Sequence, residues 1–183
     1  MNRSYDGVSD IAFEKRGDRT VLTNRYRSGN SRISALIPTE DDTPLYFLVA
    51  TGGGFIEGEK YYNIATLEKD AHAILTTQTP NYIYKCPNGK TTSQLNEVVV
   101  KEDAFLEYYI DEVIPYEDAI YYQKTFADIK KGGSLILTDG LTAGWSKSDT
   151  PFLYNKVDLK TKILYDNELV FNDYLIVAPR EED

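Results

Sequence analysis

Short stretches in which apolar and polar residues alternate run through most of the chain. Such alternation, or a run of β-branched residues, is typical of β-strands, and clusters of Gly, Asn, Asp and Pro separate the stretches. No segment keeps an apolar stripe of helical period over three turns, so no long helix is predicted. The pattern predicts strands at residues 20–27, 32–37, 45–51, 61–67, 73–79, 97–100, 105–110, 120–126, 135–138, 153–159, 162–165 and 174–177.

One weak helical signal covers residues 113–119, where Pro115 interrupts the pattern. We therefore predict an all-β fold, a layered antiparallel or solenoid-like stack of many short strands with at most one or two short helices. The 183 residues, 42% of them hydrophobic, favour a single domain over residues 1–183. A chain of this length buries a sizeable core without a disulfide or a structural metal.

A sequence pattern recurs with a period of roughly 30 residues, which is typical of repeat architectures. In each copy an apolar strand end leads into a charged turn, then a small residue, then a new strand. The small residues are Ala71, Ala104 and Gly133. In such architectures each unit buries its apolar face only by stacking on its neighbours.

The net charge of −9 argues against a nucleic acid or an anionic membrane as partner, and favours a basic protein or a cation.

Residues 1–10 carry no apolar segment typical of a secretory signal. The longest apolar run, 45–50, is far shorter than the roughly 20 residues that cross a bilayer. With Cys86 as the only cysteine, no intrachain disulfide forms. We expect a cytoplasmic protein.

The inventory of reactive side chains is small. His72 is the only histidine and Cys86 the only cysteine, so a His-rich zinc site is excluded within one chain, and a Ser-His-Asp arrangement would need His72. A lone histidine in a strand is more often structural. The glycine run at residues 51–59 (TGGGFIEGE) lacks the Lys-Ser/Thr pair and the helix of a phosphate loop. Its glycines are interpreted as turn formers.

Acidic residues are abundant, and two facing carboxylates can support glycosidase-type acid–base chemistry. The sequence does not show which carboxylates face each other. Most are expected to be solvated strand and turn residues, so a carboxylate-dependent hydrolase is kept only as an alternative. The candidates are Glu57, Glu59, Glu107, Asp111, Glu112, Asp139 and Asp173.

Four segments follow one another in a recognisable order: residues 45–61 (LYFLVATGGGFIEGEKY), 71–85 (AHAILTTQTPNYIYK), 104–119 (AFLEYYIDEVIPYEDA) and 135–145 (LILTDGLTAGW). In order and spacing they resemble characteristic stretches of the UreD family of urease accessory proteins, also called UreH. The chain departs from the family pattern because prolines are missing from the first and third segments. It also stops earlier than UreD proteins usually do, so the C-terminal part of the family fold is expected to be absent.

The resemblance implies an all-β protein that is not an enzyme and that takes part in urease maturation. UreD proteins bind UreF and, through it, the GTPase UreG, and this complex docks on the urease apoprotein so that nickel reaches the active site. A water-filled channel has been proposed as the nickel route in the family. The positions here that match its lining are Glu59, Asn81, Asp139 and Asp173.

Nickel storage and nickel passage need different ligands. Tight binding of Ni²⁺ favours imidazole and thiolate, and the chain has one of each, in separate turns. We therefore expect no tightly bound cofactor, and Ni²⁺ only in transit on oxygen ligands. The alternative is a β-rich adaptor that joins urease to UreF and has no direct metal role.

Overall fold

The structure, a computed structural model, describes residues 4–180, and within that range the chain forms fourteen strands and no helix. Consequently, none of the described residues forms a helix long and apolar enough to span a bilayer. The strands are β1 (Gly7–Arg16), β2 (Arg19–Gly29), β3 (Ser31–Ile33), β4 (Leu45–Ala50), β5 (Lys60–Leu67), β6 (His72–Thr77), β7 (Asn81–Ile83), β8 (Thr92–Val100), β9 (Phe105–Tyr109), β10 (Val113–Pro115), β11 (Ile120–Ile129), β12 (Ser134–Thr138), β13 (Lys156–Tyr165) and β14 (Glu168–Val177).

Three sheets wind into a solenoid. Sheet A has seven strands in the order β14-β13-β11-β8-β5-β1-β2, sheet B has five in the order β12-β9-β6-β4-β3, and β7 pairs with β10 as the short sheet C. Each coil runs from sheet B through sheet C to sheet A. Strands β6, β7 and β8 form one such coil, and β9, β10 and β11 form the next. The predicted all-β, solenoid-like stack is confirmed.

Strand direction follows from this winding. Eight pairs of strands are parallel, because each coil crosses a given sheet in the same direction. The three antiparallel pairs, β1–β2, β3–β4 and β13–β14, lie at sheet edges. The antiparallel pairing expected from the sequence is therefore confined to the edges, and parallel pairing dominates the stack.

The register between coils reproduces the repeat predicted from the sequence. Phe105 lies opposite His72 of the preceding coil and opposite Ser134 of the following coil. Each of these three residues directly follows the small residue of its own repeat copy. The same sequence offsets relate β5 to β8 and β8 to β11 on sheet A. One repeat is therefore one coil of the solenoid.

A tight turn of one kind starts three successive coils. Asp70 and Asp103 have φ angles of 60° and 56°, and Gly132 takes the equivalent place with a φ of 77°. Asp and Gly tolerate this left-handed conformation better than other residues. A Cβ at Gly132 would also come within 2.0 Å of a carboxylate oxygen of Asp103, so that side chain would have to move.

The weak helical signal at residues 113–119 does not correspond to a helix. Val113–Pro115 is strand β10, which pairs in parallel with β7. Val113 and Pro115 are buried while Ile114 is half-buried. Burial therefore alternates from residue to residue, as in a strand, and does not follow a helical period. Asp118, with a φ of 64°, then turns the chain towards sheet A.

Strand β1 lies outside the predicted strands. Its inward positions are Gly7, Ser9, Ile11 and Phe13, and all four are buried. Because two of these four residues are not large and apolar, the alternation that marks a strand is hidden in the sequence.

The interior holds two apolar clusters. One lies between sheets A and B and includes Phe13, Leu67, Leu75, Val100 and Leu106. The other lies where sheet C meets sheet A and contains Phe55, Tyr61, Ile83, Val113, Ala119, Tyr121, Tyr154, Val157 and Leu159. The sheet A residues between the two clusters are polar, and they form the candidate site.

Candidate functional site

A row of polar side chains crosses sheet A on its interior face. Residues that are paired in register point their side chains to the same face of a sheet. Five steps between strands, at about 4.8 Å each, make the row about 24 Å long. In order from β1 to β14 its members, here called the polar row, are Ser9, Asn63, Asn96, Thr125, Thr161 and Asp173.

Asn96 connects the centre of the polar row. Its side-chain oxygen accepts hydrogen bonds from Asn63 Nδ2 and Gln94 Nε2, both at 3.0 Å, and its Nδ2 donates to Thr125 Oγ1 at 3.1 Å. Asn96 is 1% exposed. Buried amides are stable only when they are hydrogen-bonded, so these bonds hold three successive coils in register.

A small cavity lies beside the β1 end of the polar row. Its volume is about 30 Å³, and Asn63, Asn81, Gln94 and Tyr61 are among its lining residues. Asn81 is buried, and its Nδ2 has no hydrogen-bond partner among the described residues. A polar cavity of this size holds one or two water molecules, and an unpaired buried donor is the group that such a water satisfies.

A second cavity of about 30 Å³ connects this region to the glycine loop, residues 51–59. Asn81 lines both cavities, and Gly53 and Gly54 line the second one. The glycine run thus lies at one end of the polar interior. Gly54 has no room for a side chain, because a Cβ there would lie 2.9 Å from the backbone oxygen of Tyr82.

Asp139 lies towards the opposite end of the polar interior. Gln123 Nε2 donates to both of its carboxylate oxygens at 3.3 Å, and the Gly140 backbone N–H donates at 2.8 Å. Gln123 in turn accepts a hydrogen bond from the Tyr121 hydroxyl at 3.0 Å. Since Gln123 is fully buried, the Asp139 carboxylate faces the interior although the residue as a whole is exposed.

The electrostatics of Asp139 follow from this position. Partial loss of hydration raises the pKa of its carboxyl group, hydrogen bonds from Gly140 and Gln123 oppose that rise, and the nearby Asp173 carboxylate adds to it. A carboxylate whose negative charge is disfavoured by lost hydration and by a neighbouring carboxylate attracts a cation, because a cation relieves both.

Glu59 belongs to the glycine loop and holds it together. Its carboxylate accepts hydrogen bonds from the Ile56 backbone N–H at 2.8 Å, from the Tyr61 hydroxyl at 2.9 Å and from Asn30 Nδ2 at 3.1 Å. Of the four residues expected to line a channel, Glu59 and Asn81 therefore lie at the glycine-loop end, and Asp139 and Asp173 at the other end.

The amides at the centre of the site were not anticipated from the sequence. Gln94 and Gln123 are opposite one another in the register, as are Asn96 and Thr125. Each pair joins equivalent positions of two successive coils. One sequence signal could have revealed these amides. Polar residues recur at the repeat spacing, at positions that face the interior.

His72 and Cys86 lie apart from the polar row. His72 Nε2 is 2.9 Å from Glu107 Oε1, and its ring stacks on Phe105 at 4.7 Å between centroids. Cys86 is buried, and its sulfur accepts a hydrogen bond from the Ile120 backbone N–H at 3.3 Å. Across residues 4–180 no three His, Cys, Asp or Glu side chains are grouped so as to hold a metal ion.

The site therefore offers amide, hydroxyl and carboxylate groups arranged along an axis, without a cluster of strong ligands in the described range. Its oxygens are hard donors, suited to a hydrated divalent cation that is held weakly. Together with the fold, this defines a β-solenoid with a polar interior. A family model described as the UreD urease accessory protein matches residues 5–183, and the chain belongs to that family.

Curated relatives agree with this assignment. Urease accessory protein UreD of Streptococcus thermophilus (strain CNRZ 1066) is 44% identical over 183 residues, which is 100% of this chain and 66% of the relative. The UreD proteins of Ureaplasma urealyticum and Lachnoclostridium phytofermentans are 35% and 32% identical, over 95% and 96% of this chain and 60% and 64% of their own lengths. The chain thus spans about two thirds of the length of these relatives.

Proposed function

We propose that this chain acts in the cytoplasmic maturation of urease, as a non-enzymatic scaffold whose polar interior carries Ni²⁺ in transit to the urease apoprotein. Its partners in this role are UreF, UreG through UreF, and the urease apoprotein. Membership of the UreD family supports the maturation role. The polar row supports the passage of an ion, and the two parts of the proposal are tested separately.

One observation carries the conduit part of the proposal. The polar row runs through six strands between two apolar clusters. An apolar row at the same positions would stabilise the fold without the cost of burying amides, which is about 1–3 kcal/mol for each group left unpaired. The polar row in that place holds the coils in register and also supplies the oxygen ligands that passage of an ion requires.

The arrangement of charge gives the route a direction. Neutral amides and hydroxyls occupy the centre of the polar row, and the carboxylates of Asp139 and Asp173 lie near each other towards the β14 end. Neutral oxygens bind a divalent ion weakly and release it readily, whereas the carboxylate pair lowers the energy of the ion where the row ends. The two small cavities at the glycine-loop end are large enough only for water molecules. Because a hydrated ion is larger than these cavities, amide side chains must rotate as the ion passes.

Neutralising Asp139 tests the conduit. We expect Asp139→Asn to lower nickel-dependent urease activation about tenfold or more, since groups that orient a metal typically change activity by about 10- to 100-fold. Co-purification with UreF, UreG and the urease apoprotein should be unchanged. The measurement is urease activity after activation in cells, alongside recovery of the complex.

The matched control is Asp166→Asn, which removes the same charge from an exposed turn. Asp166 has a φ of 48°, a conformation that Asn adopts readily, so the fold and activation should be retained. Full activation by Asp139→Asn with an intact complex would rule out the conduit and leave the adaptor role.

The adaptor role also has an observation in its favour. Strand β14 at the edge of sheet A exposes a run of large apolar side chains, an exposure typical of protein interfaces. These residues are Leu169, Val170, Phe171, Tyr174, Leu175 and Ile176. An adaptor needs such a surface and does not need the polar row.

A further inference from the structure

The outer face of sheet A carries a group of lysines that the conduit does not use. Lys124 of β11 lies directly opposite Lys160 of β13, and Lys162 occupies the next outward position along β13. Residues paired in register, and residues two apart in one strand, point to the same face of a sheet. The three lysines therefore share one surface, and they are here called the lysine cluster.

The acidic residues that flank the lysine cluster on this face bond to other groups. Within residues 4–180, none of the three ammonium groups of the cluster forms an ion pair. Lys130 Nζ lies 2.9 Å from a carboxylate oxygen of Asp128, and Lys156 Nζ lies 3.8 Å from one of Asp158. Glu97 of β8 accepts a hydrogen bond from a tyrosine hydroxyl of β5, on the side of β8 that faces away from β11.

The local charge of this face is opposite in sign to that of the whole chain. Counted with Lys130, the outer face of β8, β11, β13 and β14 carries five lysines and three carboxylates, a local charge of +2, whereas the chain carries −9. Like charges directly opposite each other destabilise a sheet, so the pairing of Lys124 with Lys160 is not explained by the stability of the fold. An acidic surface that covers the lysine cluster removes this repulsion.

A surface groove adjoins the lysine cluster. Its volume is about 320 Å³, and Leu95, Glu97, Lys124 and Phe126 are among its lining residues. Leu95 and Phe126 are half-buried, so the groove offers an apolar surface beside a positive charge. On the other side of the cluster, Tyr174 of β14 is 48% exposed. Apolar surface next to unpaired charge is the composition expected of a protein interface.

We propose that the lysine cluster and this groove dock an extended acidic segment of a protein partner, in which two carboxylates and one large apolar side chain share a face. Strand spacing and strand rise place the Cβ atoms of the cluster about 5–7 Å apart, which is also the separation of side chains two residues apart in an extended segment. The carboxylates pair with the lysines, and the apolar side chain enters the groove. A nucleic acid fits less well, because it is negative along its whole length and the rest of the chain repels it.

This inference rests on the scaffold part of the proposed function and is independent of ion passage. The probe is a fluorescently labelled peptide in which two Glu and one Leu alternate with Ser, and its binding to the full chain is followed by fluorescence anisotropy. Its two comparators carry Gln in place of each Glu, or Ser in place of Leu. A carbodiimide reagent, which joins a carboxylate to a lysine amine in contact with it, then locates the bound peptide by mass spectrometry.

Only the peptide with both Glu and Leu should give a saturable rise in anisotropy, and added salt should weaken its binding. The double substitution Lys124→Gln and Lys160→Gln should weaken binding about tenfold, because each exposed ion pair contributes up to about fivefold. The same change removes a pair of like charges, so the midpoint of urea unfolding should stay the same or rise. Cross-links should form at residues of the lysine cluster.

The matched control is the double substitution Lys85→Gln and Lys147→Gln, which removes the same charge from two exposed positions outside sheet A. This variant should bind the peptide as the parent does. Equal loss of binding in the two double variants, equal binding of either comparator peptide, or cross-links spread evenly over exposed lysines would overturn the proposal. Binding of a duplex oligonucleotide with the same affinity would do so too, because the cluster would then accept any polyanion.

The outcomes for docking, for the scaffold role and for ion passage are separable. Asp139→Asn should bind the peptide normally, so a failure of ion passage appears in that variant's urease activation. A failure of the scaffold role appears when the parent chain does not recover the maturation complex. A failure of docking appears in the binding of the peptide to the parent and to the two double variants.

Discussion

Asn96→Leu should lower the free energy of unfolding by about 3 kcal/mol or more, because each buried polar group that loses its partner costs about 1–3 kcal/mol. The leucine has the same branched shape but leaves Asn63 Nδ2, Gln94 Nε2 and Thr125 Oγ1 without the bonds that Asn96 now makes. Urea denaturation followed by circular dichroism measures the change.

The control for this substitution is Asn172→Leu, on the exposed strand β14. Because that side chain is outside the polar row, its replacement should change stability by no more than about 0.5 kcal/mol. If Asn96→Leu were equally mild, the amides of the polar row would not form a bonded network, and the register of the coils would have another source.

Leu106→Ala should destabilise the fold by about 2–5 kcal/mol. Leu106 is fully buried on β9, between Ala73 of β6 and Leu135 of β12. Truncation leaves a cavity in a stack where each coil is held only by its neighbours, so the lost packing is not recovered elsewhere. Since domains of this size are stable by about 5–15 kcal/mol, thermal and urea unfolding should both shift clearly.

Ile136→Ala provides the comparison for Leu106→Ala. Ile136 lies on the next strand of the same sheet, and its side chain is 42% exposed on the outer face. Its truncation should cost less than about 1 kcal/mol. Equal costs for the two substitutions would show that the space between sheets A and B is not the main source of stability.

The architecture could be predicted because each copy of the repeat is marked by residue types that a local turn requires. Left-handed turns at Asp70, Asp103 and Gly132 need particular residues, and these recur with the spacing of the coils. The local pattern does not predict strand β1 and gives a weak helical signal near Pro115, because small or restricted residues occupy inward positions there. In both places tertiary pairing, which a local pattern does not contain, decides the structure.

The candidate site was only partly accessible to sequence reasoning. The family resemblance pointed to Glu59, Asn81, Asp139 and Asp173. The structure places Glu59 in the glycine loop, Asn81 at a polar cavity and the two aspartates near each other. The resemblance did not point to Asn96 or Gln123, which make most of the bonds. Inward and outward polar residues look alike in a strand until the register between coils is known.

Nickel-induced broadening of NMR signals tests the entry of the ion into the interior most directly. Ni²⁺ is paramagnetic, and the side-chain amides of Asn63, Asn96 and Gln123 provide resolved reporters within the polar interior. We predict that these amides broaden on titration with Ni²⁺, while the exposed amide of Asn167, in the turn between β13 and β14, stays sharp. Broadening confined to surface groups such as His72, with sharp interior amides throughout, would contradict passage of the ion through this chain.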